Sequence, residues 1–215
     1  METKGLNETK VMVGKVRASY VHVFEPKSID GDASKAKYSI SLIIPKDNEA
    51  LIAKIKKAIS VAYETGMSSK WGGKKPLKAH NPLRDGDEER SDDEAYANSY
   101  YINASCKTKP GVNKIKGYET GADGKRKLIT IPVDSEEDVY SGCYVYASVN
   151  FYPFDTSGSK GVACGLNNVL KVDDGPALGG RISAEADFSE VELPEEDMPF
   201  NADSDPFANN DACPY

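Results

Sequence analysis

Residues 143–152 alternate with a period of two. Cys143, Val145, Ala147, Val149 and Phe151 occupy the odd positions, and Tyr144, Tyr146, Ser148, Asn150 and Tyr152 the even ones. Only an extended strand puts such positions on opposite sides, so one side is apolar enough to be core and the other faces outward. A chain carrying this run must build a sheet with one face laid against an apolar core. The outward side presents three tyrosines interleaved with small hydrogen-bonding groups, a combination that can stack bases while its hydroxyls stay wet. Cross-strand tyrosine pairing for stability would account for the same pattern.

Other segments extend the sheet. Residues 11–24 are rich in β-branched and aromatic types, with Gly14 mid-run, and predict a long strand able to bend sharply. A turn at Asp30-Gly31-Asp32 leads to a strand over 36–44, closed by Pro45. The period then changes: Asp47 or Asn48 can cap a helix with Leu51, Ile52, Ile55, Ala58, Ile59, Ala62 and Tyr63 on one face, ended by Gly66. Periodicity is lost over 67–97, which reads as a long loop insertion. Residues 99–107 alternate again, with Tyr100, Ile102, Ala104 and Cys106 on one face and Tyr101, Asn103, Ser105 and Lys107 on the other. A basic hairpin-like region, a short run at 128–133 and strands at 142–152 and 160–172 complete the pattern. The expected fold is mainly β, an OB-fold-like barrel with one helix between strands, occupying residues 1–186.

The net charge of -7 averages two unlike parts. Ten of the 34 acids lie after Arg181, where there is no Lys or Arg, so residues 1–181 carry 27 bases against 24 acids. A mildly basic body therefore bears an acidic tail over 187–215, expected to be disordered. The body is more basic than that balance suggests, because seven acids from Asp85 to Glu94 share one short segment. Such a surface suits a polyanion. The candidate DNA contacts are Tyr101, Tyr144, Tyr146, Tyr152 and Phe154 as stacking groups, and Lys107, Lys109, Lys114, Lys116, Arg126 and Lys127 for phosphates. Trp71 is either a further stacking residue or a pin holding the loop to the barrel.

Enzyme chemistry finds little support. No G-x-x-x-x-G-K-[ST], G-x-S-x-G or H-E-x-x-H is present. Cys106, Cys143, Cys164 and Cys213 lie far apart with only two histidines, against a zinc site or a disulfide framework. No cofactor, metal or catalytic residue is assigned. The Asp85 to Glu94 carboxylates could hold Mg²⁺ in a metal-dependent nuclease, or form a solvated loop. No stretch approaches the roughly 20 apolar residues of a membrane span, so a soluble, cytoplasmic protein with no membrane partner is expected.

The tail repeats an acid run followed by Pro-aromatic: Asp197-Met198-Pro199-Phe200, then Asp205-Pro206-Phe207, with Tyr215 closing the chain. This suits a tethered peptide ligand, whose aromatic fills an apolar pocket while carboxylates meet bases around it. Asp197, Pro199, Phe200, Asp205, Pro206, Phe207 and Tyr215 are its candidate contacts. The tail is similar to the acidic tail of bacterial single-stranded DNA-binding proteins, although here Pro-Phe is internal. The blocks GCYVYASVNFYPFD and GVACGLNNVLKVDDG resemble the core of a phage family of replicative single-stranded DNA-binding proteins, over most of residues 8–190. Tyr144, Tyr146, Tyr152 and Phe154 lie inside that block. The resemblance implies an OB-fold, coating of single-stranded DNA in phage replication and recombination, and a tail that contacts replication proteins such as polymerase and helicase or primase. An annealing mediator that also holds duplex, a protein-interaction adaptor, and a homodimer remain open.

Overall fold

The computed structural model describes residues 8–179, apart from 29, 30, 75, 122, 123 and 157. Eight strands form one sheet: β1 (Lys10–Lys27), β2 (Lys37–Pro45), β3 (Leu83–Asp85), β4 (Ser99–Cys106), β5 (Gly111–Thr120), β6 (Arg126–Pro132), β7 (Tyr144–Thr156) and β8 (Ser159–Asp173). Their order is β3-β4-β2-β1-β7-β8-β5-β6, and a parallel contact between Ser105 of β4 and Gly165 of β8 closes five of them into a barrel. Closure removes most of the edge that an open sheet would leave unpaired.

The long first strand makes closure possible. Its first half pairs with β7 and its second with β2, with register shifts between Val13 and Val16 and again after Ser19. These bulges bend it around the barrel, the role expected from its small residues. Val145, Ala147, Val149 and Phe151, the odd positions of the first part of β7, are buried as the alternation requires, together with Val13, Val16, Leu42, Ile102 and Val162.

Helix α1 (Glu49–Ser69) is capped by Asn48, whose side chain accepts from the Leu51 N–H. Leu51, Ile52, Ile55, Ala58, Ile59 and Ala62 are buried along the expected face. The helix does not stop at Gly66 but continues a further turn. Gly66 serves close packing instead, since a Cβ there would lie 2.4 Å from the Trp71 ring.

The segment read as a loop over 67–97 carries structure of its own: β3, the short helix α2 (Gly86–Glu89) and a 3-10 turn over Glu94–Tyr96. Its acids organise it locally. Asp85 caps α2 and Asp93 caps the 3-10 turn. Lys46 bonds to both Asp85 and Asp87, at 2.8 and 2.7 Å, and Arg84 pairs with Glu89. Among the described residues, no group of three or more His, Cys, Asp or Glu is placed to hold a metal. No helix among them is long and apolar enough to cross a membrane.

Candidate nucleic-acid interface

One row of residues crosses the outer surface of the barrel. Lys10 lies opposite Asn150, Asn150 opposite Gly165, Gly165 beside Ser105, Ser105 opposite Ser39, and Ser39 opposite His22. Each has a buried neighbour in its strand that faces the core, so all six point outward. The middle four are small or polar, so no large side chain rises from them: Asn150, Ser105 and Ser39 are half-buried, and Gly165 lies beneath the Asn150 and Tyr152 side chains. Ser41 and Asn103 form a second pair on the same side, with Asn103 exposed and Ser41 buried beneath the insertion, where the Tyr96 hydroxyl donates to it at 3.2 Å.

Aromatic and basic groups flank the row. Tyr152 is 41% exposed, and a Cβ at Gly165 would lie 3.3 Å from its ring and 2.9 Å from Asn150 Oδ1, so the glycine makes room for both side chains. Burial pushes the Tyr152 phenol above its usual range, keeping it a hydrogen-bond donor. At the other end a groove of about 590 Å³ is lined by Tyr20, His22, Ser39, Ser41, Asn103 and Ser105, with Lys27, Lys35, Lys37 and Arg90 around it. Burial, then the nearby Lys27, holds the His22 imidazole below its ordinary range, so it is neutral at pH 7.

Arg90 ties this groove to the insertion. Its guanidinium donates to the Tyr20 hydroxyl at 2.9 Å and stands over the Tyr20, Tyr96 and Tyr101 rings at 4.9, 5.0 and 5.7 Å. Tyr20 holds a left-handed backbone at φ 45°, uncommon for a bulky residue.

The structure divides the sequence-predicted residues. Tyr146 and Tyr152 are exposed on the outer face of β7. Tyr144 shares that face, half-buried beneath Lys15, whose Nζ lies 5.3 Å from its ring centroid. Phe154 meets His80 edge-on at 5.9 Å. Lys107 and Lys109 are exposed in the turn after β4. The hairpin bases do not form one patch. Lys114 pairs with Asp138 at 2.7 Å, and strand alternation puts Lys116 and Lys127 on the other side of the ribbon from Arg126.

Two placements correct the sequence reading. Tyr101 is on the outer side of β4 as its alternation requires, but the insertion covers it. It is 1% exposed and packs edge-on against Tyr96. Trp71 is also buried, donating its indole N–H to the Phe154 carbonyl at 3.1 Å and tilting against Tyr63, so of its two readings the structure takes the pin. The tail residues Asp197, Pro199, Phe200, Asp205, Pro206, Phe207 and Tyr215 lie outside the described residues. The sequence reading missed Lys10, Tyr20, His22, Ser39, Arg90 and Gly165. A signal existed for Ser39 and Ser41, which alternate with Ile40 and Leu42, whereas the row itself follows from registers between distant strands.

The strand order β1-β2-β4-β8-β7 with parallel closure is that of an OB-like barrel, a class that binds oligonucleotides and oligosaccharides on the outer face of its second and third strands and the adjoining loops. The model of the family "Enterobacter phage Enc34, ssDNA-binding protein" matches residues 9–199. "Putative protein p50" of Acyrthosiphon pisum secondary endosymbiont phage 1 is 33% identical over 199 residues, covering 87% of this chain and 97% of that protein. The chain belongs to the Enc34 phage ssDNA-binding protein family. Among solved structures, the Enc34 single-stranded DNA-binding protein in complex with ssDNA superposes with a TM-score of 0.65 at 26% identity, covering 80% of this chain and 90% of that one. The single-stranded DNA-binding protein gp2.5 of bacteriophage T7 shares the fold, with a TM-score of 0.52 at 15% identity over 85% of this chain and 94% of that one.

Proposed function

We propose that this chain binds single-stranded DNA with little base preference, laying the strand across the outer row from His22 to Lys10 in support of phage DNA replication in the host cytoplasm. The observation that carries the reading is the row itself, small and polar in its middle and flanked by Tyr20, Tyr152 and surface cations. Family membership, and a relative solved with ssDNA, support the same reading. Tyr152 stacks on a base, and Lys27, Lys37, Lys107 and Lys109, which pair with no acid among the described residues, neutralise phosphates. The acidic tail recruits replication proteins such as polymerase and helicase or primase through Phe200, Phe207 or Tyr215. No catalytic role is assigned; Asp85 and Asp87, which the sequence offers as metal-binding carboxylates, are both bonded to Lys46, and Asp85 also caps α2.

A salt titration of oligonucleotide binding tests this. With about four to six phosphates neutralised, log K should fall against log salt with a slope of about -3 to -4. Affinity insensitive to salt would remove the phosphate contacts from the proposal, and absence of binding at low salt would end it.

A further inference from the structure

We propose that the groove between the outer face of β7 and the β5–β6 hairpin is a pocket for a nucleobase, with the Ser148 hydroxyl bonding to the base edge. The inference rests on the reading that the chain binds single-stranded DNA, and adds to the row a site that takes a base rather than a phosphate. The groove has a volume of about 760 Å³. Met12, Tyr146 and Ser148 form its floor on β1 and β7, while Ile115, Tyr118 and Leu128 of the hairpin form the opposite wall. Met12, Tyr118, Leu128 and Tyr146 are 60%, 62%, 36% and 38% exposed, so four large apolar side chains face water around one concavity. Such a surface marks a ligand site more often than a solvated one.

Ser148 supplies a second, independent observation. It is 6% exposed, and its Oγ has no hydrogen-bond partner among the described residues. A buried hydroxyl without a partner is costly, and here it lies under a groove able to admit one. Its cross-strand partner is Met12, an unbranched and exposed side chain that can swing aside to uncover it. Tyr146 is held down beside it by the absence of a side chain at Gly14, where a Cβ would lie 1.7 Å from Tyr146 Cδ1.

These features select the ligand. A phosphate would meet apolar walls, with Lys10 as the one cation among the lining residues. A nucleobase offers flat π faces to Tyr146 and Tyr118 and a polar edge to Ser148. A hydroxyl both donates and accepts, so it serves any base and preserves tolerance of sequence. Ser148 is two residues from Asn150 on the same face of β7, so a strand lying on the row delivers a base directly into the groove.

The test compares Ser148→Ala and Tyr118→Ala in the full chain, measuring affinity for a thymidine oligonucleotide and for an abasic oligonucleotide of equal length, with thermal unfolding alongside. Ser148→Ala should bind the thymidine oligonucleotide about three- to tenfold more weakly while being at least as stable as the unsubstituted protein. Tyr118→Ala should lose about tenfold, and neither should change affinity for the abasic strand. Several results would overturn the pocket: equal weakening on both oligonucleotides, a destabilised Ser148→Ala that binds normally, or normal binding by both variants. If both bind normally while Lys107→Ala and Lys109→Ala bind weakly, the pocket falls and the proposed function stands. If the unsubstituted chain binds neither oligonucleotide, both fall.

Discussion

Tyr101 and Tyr96 meet with ring centroids 5.1 Å apart and planes at 84°, edge to face, and both are almost fully buried. Tyr152 has the same side chain on the same kind of outward strand position and keeps 41% of its surface. The difference is what lies above each: the insertion covers Tyr101, and among the described residues no element covers Tyr152. Their alanine variants should therefore fail in opposite ways. Tyr101→Ala removes a buried ring and should destabilise by about 3 to 5 kcal/mol in urea unfolding. Tyr152→Ala should leave the unfolding midpoint unchanged and weaken oligonucleotide binding by about 1 to 3 kcal/mol. If Tyr152→Ala instead unfolds the protein, its ring is packing rather than platform.

At the scale of elements, two cationic clasps add to the β3–β4 pairing and the Trp71 pin that hold the insertion to the barrel. Lys46, just beyond β2, bridges Asp85 and Asp87, and Arg90 is held among three tyrosine rings. The hydrogen bond from Lys46, with that from the Asn98 N–H, holds the Asp87 carboxyl below its ordinary range. A carboxyl depressed in the folded state stabilises it above the unfolded pKa, and that contribution is lost as pH falls through the lower folded value. The clasp is thus intact at neutral pH and opens only in acid below the ordinary aspartate range. Lys46→Met should raise amide exchange at neutral pH within residues 83–97 while β7 and β8 stay protected. Equal loss of protection throughout would mean that the insertion and the barrel open as one unit. Because the insertion supplies Arg90, its opening should also weaken DNA binding at the Tyr20 end of the row.

For the whole molecule the governing asymmetry is charge. Ten acids without a base follow a body of about +3, and the tether gives them a high effective concentration near any basic surface. Deleting residues 191–215 should tighten binding to single-stranded DNA, most visibly at low salt where screening is weak. If the tail recruits replication proteins as proposed, the same deletion should abolish that recruitment, whereas replacing Phe200, Phe207 and Tyr215 by Ala should abolish it with a smaller effect on DNA. A truncated chain that binds DNA more weakly than the full one would make the tail part of the binding surface.

Period and local chemistry are written in neighbouring residues, so the strands, the outward tyrosines of β7, the Asn48-capped helix and the bend in β1 are legible along the chain. Those features depend on positions two to four apart, where backbone geometry dictates which side chains share a face. Ser105, Gly165 and Asn150 are unremarkable in sequence and become one row because β4 closes onto β8. Tyr101 alternates correctly yet is buried, because alternation states which side a residue faces and not what covers that side. Gly66 reads as a helix stop and acts as a seat for Trp71, a contact that exists only once the chain after the helix turns back on it. The Ser148 groove likewise requires β5 to pair with β8 and hold its hairpin over β7. Local pattern determined the elements and their faces; registers between distant strands decided which faces met, which were covered, and where the surface was left open to a ligand.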